Sequence, residues 1–384
     1  MKVHIALVPG FFGFANLGDL AYFGHVHAFL NAAYRARGIE PVLHVVQTHP
    51  TASVVRRAAH LLETLVTDAA DDAPIHLVGH SSGGLDCRLL LMPGVELPGP
   101  HAAEAIAARV TRVVAVSTPH RGTPLAEFFA TRLGGALLEI LSLATMHGLR
   151  LGQVPLKVLL AAGAAYAKLD DVGPNSALLD QLFGDLLADF TPARRDAITQ
   201  FLNDVRSDRA LLTQLTPDSM ETFEATTRDR PGVPYGAVVT RAAPPTLTSW
   251  TMPGLDPSAH VLHLLYRALY AATRDSHARL PALDPAAVLR LRDAYGTLPD
   301  PTDNDGVVPT LSQLHGELVY ATAGDHLDVI GHFGDHSVVP PHFDWLVTGT
   351  GFDHTRFEAV WTVVADWLTA ARPASAAGSA GSPP

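Results

Sequence analysis

The chain has 384 residues, enough for one large domain or two ordinary ones. Its 27 Lys and Arg against 38 Asp and Glu give a formal net charge of −11, which argues against a nucleic-acid partner because phosphate binding needs clustered cations. Hydrophobic residues make up 47% and charged ones 17%, so a large core can form; the single cysteine, Cys87, excludes an internal disulfide framework and any multi-cysteine metal site.

Residues 2–8 form a short apolar run of strand type, followed by the turn-like Pro9-Gly10-Phe11-Phe12-Gly13. The run is too short for a signal peptide and lacks a small-residue cleavage site, so a cytoplasmic location is expected. Residues 19–37 read as a helix stopped by Gly38, and 41–46 as a second strand. A helix over 51–67 carries Val54, Val55, Ala58, Leu61, Leu62 and Leu65 on one face. A third strand at 75–78 precedes a helix at 82–91. Further strands are expected at 112–116, 235–240 and 317–321, and a terminal helix at 357–371. Apolar strands alternating with amphipathic helices predict an α/β fold, with a mostly parallel central sheet covered on both faces.

The alternation stops near Thr123 and returns near Tyr235. The chain therefore divides into a core over 1–122 and 235–371 and a helical lid or cap insertion over 123–234, which an ordinary helical subdomain would also explain. Residues 133–169 are the most apolar stretch, but Glu139, Arg150, Lys157 and Lys168 interrupt it, so no transmembrane segment is expected. Such a stretch either forms a core or lines an apolar pocket. The tail, 372–384, holds only Ala, Ser, Gly and Pro after Arg372 and is expected to be disordered.

Gly79-His80-Ser81-Ser82-Gly83 fits G-x-S-x-G between an expected strand and an expected helix, the context of a nucleophile elbow. The turn lifts Ser81 clear of the sheet at a helix N-terminus, where unpaired backbone amides favour negative charge. Ser82 lacks the symmetric glycine spacing. A serine nucleophile needs oxyanion donors, and the candidates are the backbone amides of Ser82 and of Phe11, in the loop after the first strand. It also needs a base oriented by a carboxylate, in the chain order Ser, Asp or Glu, His. Asp305, in Asn304-Asp305-Gly306, is the candidate acid, with Asp303 and Asp300 as competitors. His326, on a loop beyond an expected strand, is the candidate base, with His315, His332 and His336 competing.

These residues resemble the bacterial true lipases of the Pseudomonas and Burkholderia type, within the α/β-hydrolase superfamily. Residues 8–13 are similar to that family's V-H-G-L-x-G oxyanion loop, and 77–84 to its V-G-H-S-Q-G-G elbow. Ser117-Thr118-Pro119-His120-Arg121-Gly122 resembles its T-P-H-R-G segment, and Asn304-Asp305-Gly306 and His326-Leu327-Asp328 its N-D-G and H-L-D segments. The resemblance implies Ser81 as nucleophile, Asp305 as acid, His326 as base and a helical lid after Gly122. It also implies a structural calcium held by Asp328 and by an aspartate of an Asp-Pro segment. Asp284-Pro285 has a similar offset, although Asp284 would equally serve as a helix N-cap. Pro9 stands where the family has histidine, Ser82 where it has glutamine, and the family disulfide cannot form. The family is typically secreted, so export is the alternative location.

The expected function is a serine carboxylic-ester hydrolase, a lipase or esterase, acting on apolar acyl esters at a lipid or polymer surface without an organic cofactor. An acyltransferase on the same triad, a polyester depolymerase and a catalytically silent binding protein are the alternatives.

Overall fold

The computed structural model describes residues 1–11, 22–49, 51–130, 207–246, 257–274, 281–335 and 346–371, with Asp344 and isolated positions between 192 and 203. The elements in chain order are β1 (Lys2–Val8), α1 (Gly24–Ala36), β2 (Glu40–Val45), α2 (Val54–Asp68), β3 (Ile75–His80), α3 (Gly83–Leu91), α4 (Ala103–Ala107), β4 (Val110–Val116) and α5 (Pro124–Ala130). They continue with α6 (Ala210–Gln214), α7 (Pro217–Thr226), β5 (Tyr235–Arg241), α8 (Pro257–Thr273), α9 (Pro285–Tyr295), β6 (Glu317–Ala323) and α10 (His354–Thr369). Most of the expected lid, including 133–169, and the tail 372–384 lie outside the described residues.

The strands form one six-stranded sheet, ordered β2-β1-β3-β4-β5-β6, in which every neighbouring pair is parallel. Period-2 side-chain alternation sends β1 residues to opposite faces. Val3, Ile5 and Leu7 join a cluster with Val26, Leu30 and Tyr34 of α1 and Phe357, Val360 and Trp361 of α10. Ala6 and Val8 join Leu61, Leu62 and Leu65 of α2 and Leu90 and Leu91 of α3. Helix α9 covers the far end of the sheet, setting Ala287 and Leu291 against Ala237, Val239 and Leu318. All six residues of β3 are buried, as expected of a central strand.

Helix ends follow local chemistry. Ser53 Oγ accepts the Arg56 amide at the start of α2, and Asp353 accepts the Arg356 amide at the start of α10. Helix α9 begins with the Asp284 cap and Pro285, and closes on Gly296 at φ 73°. Helices α4 and α8 are absent from the sequence reading. Helix α8 nevertheless buries Leu262, Leu265, Tyr266, Leu269 and Tyr270.

After β1 the chain crosses to one side to form β2, then returns to form β3 on the other side of β1. The sheet therefore has its switch point between β1 and β3, where open α/β sheets form a crevice at the strands' carboxyl ends. The loop Pro9-Gly10-Phe11 leaves β1 there, and Ser81 leaves β3 there.

A buried ion pair fastens this corner. Arg57 of α2 and Asp86 of α3 are both wholly buried, with Nη2 to Oδ2 at 2.8 Å and Nε to Oδ2 at 3.0 Å. Arg57 Nη2 also donates to the Pro9 carbonyl at 2.7 Å, and Nη1 to Thr48 Oγ1 and the His49 carbonyl, each at 3.1 Å. Burial pushes the Asp86 carboxyl up to about 6, against the opposing pull of Arg57. Removing one partner of such a pair strands a buried charge. Arg57→Ala is therefore expected to lower stability by about 3–5 kcal/mol, and the double change Arg57→Met with Asp86→Leu to cost less than either single truncation. Urea unfolding midpoints check both.

Candidate active site

The β3–α3 junction is a sharp elbow. Ser81 sits at φ 55°, in the left-handed region that only a well-braced non-glycine residue occupies. Its amide donates to the Val116 carbonyl at 2.9 Å, and the Gly84 amide returns to its own carbonyl at 3.1 Å. The flanking glycines are required by close approach. A Cβ on Gly79 would lie 2.5 Å from the Gly84 nitrogen, and one on Gly83 2.1 Å from the Val8 oxygen. Ser81 is 6% exposed, whereas Ser82 is fully buried, with no partner for its hydroxyl oxygen among the described residues. Both serines are therefore buried, Ser81 slightly less completely than Ser82.

The β1 loop lies directly against this elbow. A Cβ on Gly10 would fall 2.3 Å from Ser81 Cβ and 2.8 Å from Ser81 Oγ. Phe11, the expected oxyanion donor, is the next residue and is buried. Ser82 is the N-cap of α3, so the second expected donor stands at a helix N-terminus.

Asp305 and His326 meet. His326 Nδ1 lies 2.9 Å from Asp305 Oδ2, and the His326 amide donates to the Asp305 carbonyl at 3.0 Å. Asp305 Oδ1 accepts from the amides of Val307 at 3.0 Å and Val308 at 2.8 Å. Its Oδ2 also accepts from Thr240 Oγ1 at 2.8 Å and Gln313 Nε2 at 3.1 Å. These contacts fix the carboxylate in orientation. His326 Nδ1 carries its proton toward Asp305, which leaves Nε2 as the basic nitrogen. That Nε2 is buried and has no hydrogen-bond partner among the described residues. The ring of His80, the residue before Ser81, stands 4.7 Å from the His326 ring, centroid to centroid.

The competitors have other duties. Asp303 pairs with Arg241 at 3.2 Å, and Asp300 accepts from the Thr302 amide and hydroxyl. His315 pairs with Asp229 at 2.8 Å, and His332 Nε2 donates to the Tyr22 carbonyl at 3.0 Å. His336 lies outside the described residues. The end of the T-P-H-R-G segment and the residue after it brace the Asp305 loop: Thr123 Oγ1 donates to the Val307 carbonyl at 2.6 Å, and Ser312 Oγ to that of Gly122 at 2.7 Å.

Of the two expected metal ligands, Asp284 caps α9, accepting the Ala287 amide at 2.7 Å, and joins no carboxylate cluster among the described residues. Its helix-cap role is the one observed. Asp328 instead joins Asp325 and Asp344, with one ligand oxygen from each within 4.8 Å of the others. Burial raises all three carboxyls above the ordinary range, Asp328 to about 7, and neighbouring Asp328 adds to the effect on the other two. Asp325 Oδ1 accepts the Leu327 and Asp328 amides, whereas its buried Oδ2 has no partner among the described residues. Three converging carboxylates with an orphaned oxygen fit a hard cation. A second grouping, His120, Glu224 and His315, is served differently. There the Arg88 guanidinium reaches His120 Nδ1 at 3.2 Å and bonds Glu224 and Asp229, while the buried His120 Nε2 has no partner among the described residues.

No family model matches the chain, and no curated protein matches its sequence. Solved structures share its fold. EstA from Clostridium botulinum superposes with a TM-score of 0.50 at 19% identity, over 95% of this chain and 87% of that one. Lipase 1 from Pelosinus fermentans gives 0.51 at 16% identity, over 95% and 98%. The fold is the α/β-hydrolase fold, with the Ser81 elbow after strand β3.

Gly10→Ala tests the contact between the β1 loop and the elbow. The added methyl has no room, so the loop must withdraw from Ser81 and carry its amides with it. Labelling of Ser81 by a fluorophosphonate, followed by mass spectrometry, is expected to slow by about 10²–10³, the usual effect of losing an oxyanion donor.

Proposed function

We propose that this chain is a serine carboxylic-ester hydrolase acting on apolar acyl esters. The observation that carries the reading is the Asp305–His326 pair, whose loop meets His80, the residue before Ser81, while Ser81 itself is held in a left-handed elbow at the sheet's switch point. Lipase 1 of Pelosinus fermentans, which has the same fold, agrees with it. His326 Nε2 takes the Ser81 proton as Oγ attacks the ester carbonyl. Asp305 holds the imidazole at Nδ1 and stabilises its cationic form. The amides of Phe11 and Ser82 receive the oxyanion. The alcohol leaves with the proton from His326, and water activated by the same nitrogen then releases the acid from Ser81.

Ser81→Ala is expected to lower kcat on a p-nitrophenyl ester series by about 10⁴–10⁶ with the melting temperature preserved, and His326→Ala to be comparably damaging. A Ser81→Ala variant that keeps more than a few per cent of activity overturns the assignment. The wild-type series also ranks acyl-chain length.

The cluster of Asp325, Asp328 and Asp344 is proposed as the site of a structural calcium ion. Bound there, the ion would neutralise buried carboxylates on the loop that carries His326. Chelation is expected to lower the melting temperature and calcium to restore it, since a ligand at a hundredfold excess over Kd stabilises by about 2.7 kcal/mol. Asp325→Asn is expected to abolish the calcium response. An unchanged melting temperature after thorough chelation counts against the site.

A further inference from the structure

The residue before the nucleophile is a histidine with no part in the proton transfer, yet both its ring nitrogens are engaged. His80 is wholly buried, and its Nε2 lies 2.8 Å from the backbone carbonyl of His326. A carbonyl only accepts, so Nε2 carries the proton and Nδ1 is the acceptor. The donor to Nδ1 is the Tyr22 hydroxyl, at 2.6 Å. The Gly10 amide hydrogen-bonds to the Tyr22 side chain, and the Tyr22 carbonyl accepts from His332 Nε2 at 3.0 Å.

The pattern joins three pieces of chain. Gly10 belongs to the β1 loop, His80 to the elbow, and His326 and His332 bracket the loop that carries the base. His326 has two other anchors, its Nδ1 and its amide, and both go to Asp305. Its carbonyl is the anchor that faces the nucleophile's strand. The contact through His80 therefore sets the distance between the base and Ser81, which Asp305 alone does not.

We propose that His80 and Tyr22 are positioning residues of this site, a hydrogen-bonded tie that fixes the base loop against the nucleophile elbow and the β1 loop. The proposal rests on the ester-hydrolase reading for its kinetic consequence but not for its structural one. The chemistry requires His80 to be neutral, because a protonated ring could not accept from Tyr22 and would stand against the cation that forms on His326. Burial, with His326 and His332 nearby, depresses its basicity well below the ordinary imidazole range.

The test compares His80→Ala, His80→Gln and Tyr22→Phe in the full chain. Glutamine places its amide nitrogen where histidine has Nε2, so it keeps the donor to the His326 carbonyl while losing the imidazole. His80→Ala is expected to lower kcat by about tenfold to a hundredfold, the scale of an ångström-size misplacement, with KM little changed. His80→Gln is expected to recover most of that loss, and Tyr22→Phe to fall between the two. Hydrogen–deuterium exchange gives the structural readout. The peptide spanning residues 324–332 is expected to exchange faster in His80→Ala and to return toward wild type in His80→Gln. Two results overturn the tie: His80→Ala with unchanged kcat and unchanged exchange, or His80→Gln no better than alanine in both. If the wild type hydrolyses no ester, the functional reading fails on its own, and the exchange arm still decides whether His80 holds the base loop.

Discussion

The Arg57 guanidinium is the contact on which the geometry of the site depends. Wholly buried, it holds Asp86 in the helix after Ser81, the Pro9 carbonyl in the loop after β1, and Thr48 and His49 beyond β2. Three chain segments distant in sequence thus converge on one planar cation, whose fork of donors matches a carboxylate and nearby carbonyls. A buried pair of this kind is a weak source of net stability, because desolvation offsets most of its attraction. Its effect here is to leave a single arrangement in which every donor is satisfied. That arrangement presses Gly10 against Ser81.

Two further devices complete the constraint, and they act on different groups. The left-handed backbone at Ser81 is strained by about 1–3 kcal/mol in general terms and persists because the surroundings over-determine it. Its amide is taken by Val116, and the flanking glycines are packed against neighbouring backbone. Asp305, by contrast, is fixed through its side chain. Both carboxylate oxygens are saturated by Val307, Val308, Thr240, Gln313 and His326, so the imidazole inherits a rigid support. Trp361 of α10 extends that support by donating its indole N–H to the Val329 carbonyl, just beyond His326.

Much of this was legible in the residues. The six strands were readable because each is a short apolar run bounded by turn chemistry, and the meeting of Asp305 with His326 because their motifs lie in the loops around β6. Local signals do not carry the supports. Gln313 and Thr240 contact Asp305 through pairing between β5 and a short 3₁₀ turn at Thr310–Gln313, which has no periodicity to read. Arg57 lies on the buried face of an otherwise ordinary amphipathic helix, and its partners come from three other segments. Asp325 stands beside the H-L-D residues and was within reach of the reading, whereas Asp344 meets it only through tertiary folding. Asp284 shows the opposite case. Asp-Pro is both a plausible ligand segment and a good helix start, and the local role is the one observed.

One backbone contact bears on how the polypeptide can vary. The Thr123 amide donates to the Leu215 carbonyl at 2.9 Å, and Gly122, at φ 79°, packs where a Cβ would lie 2.8 Å from Leu215 and Pro217 backbone atoms. The chain therefore leaves the sheet and rejoins it at one narrow neck, whatever conformation the intervening residues take. Closing a loop at a fixed neck costs only about 0.6 kcal/mol more for each doubling of its length. Changes of length confined to residues 131–206 would therefore leave that neck closed, with Leu125, Phe129, Leu211 and Leu212 still in the core and Ser81, Asp305 and His326 in their places.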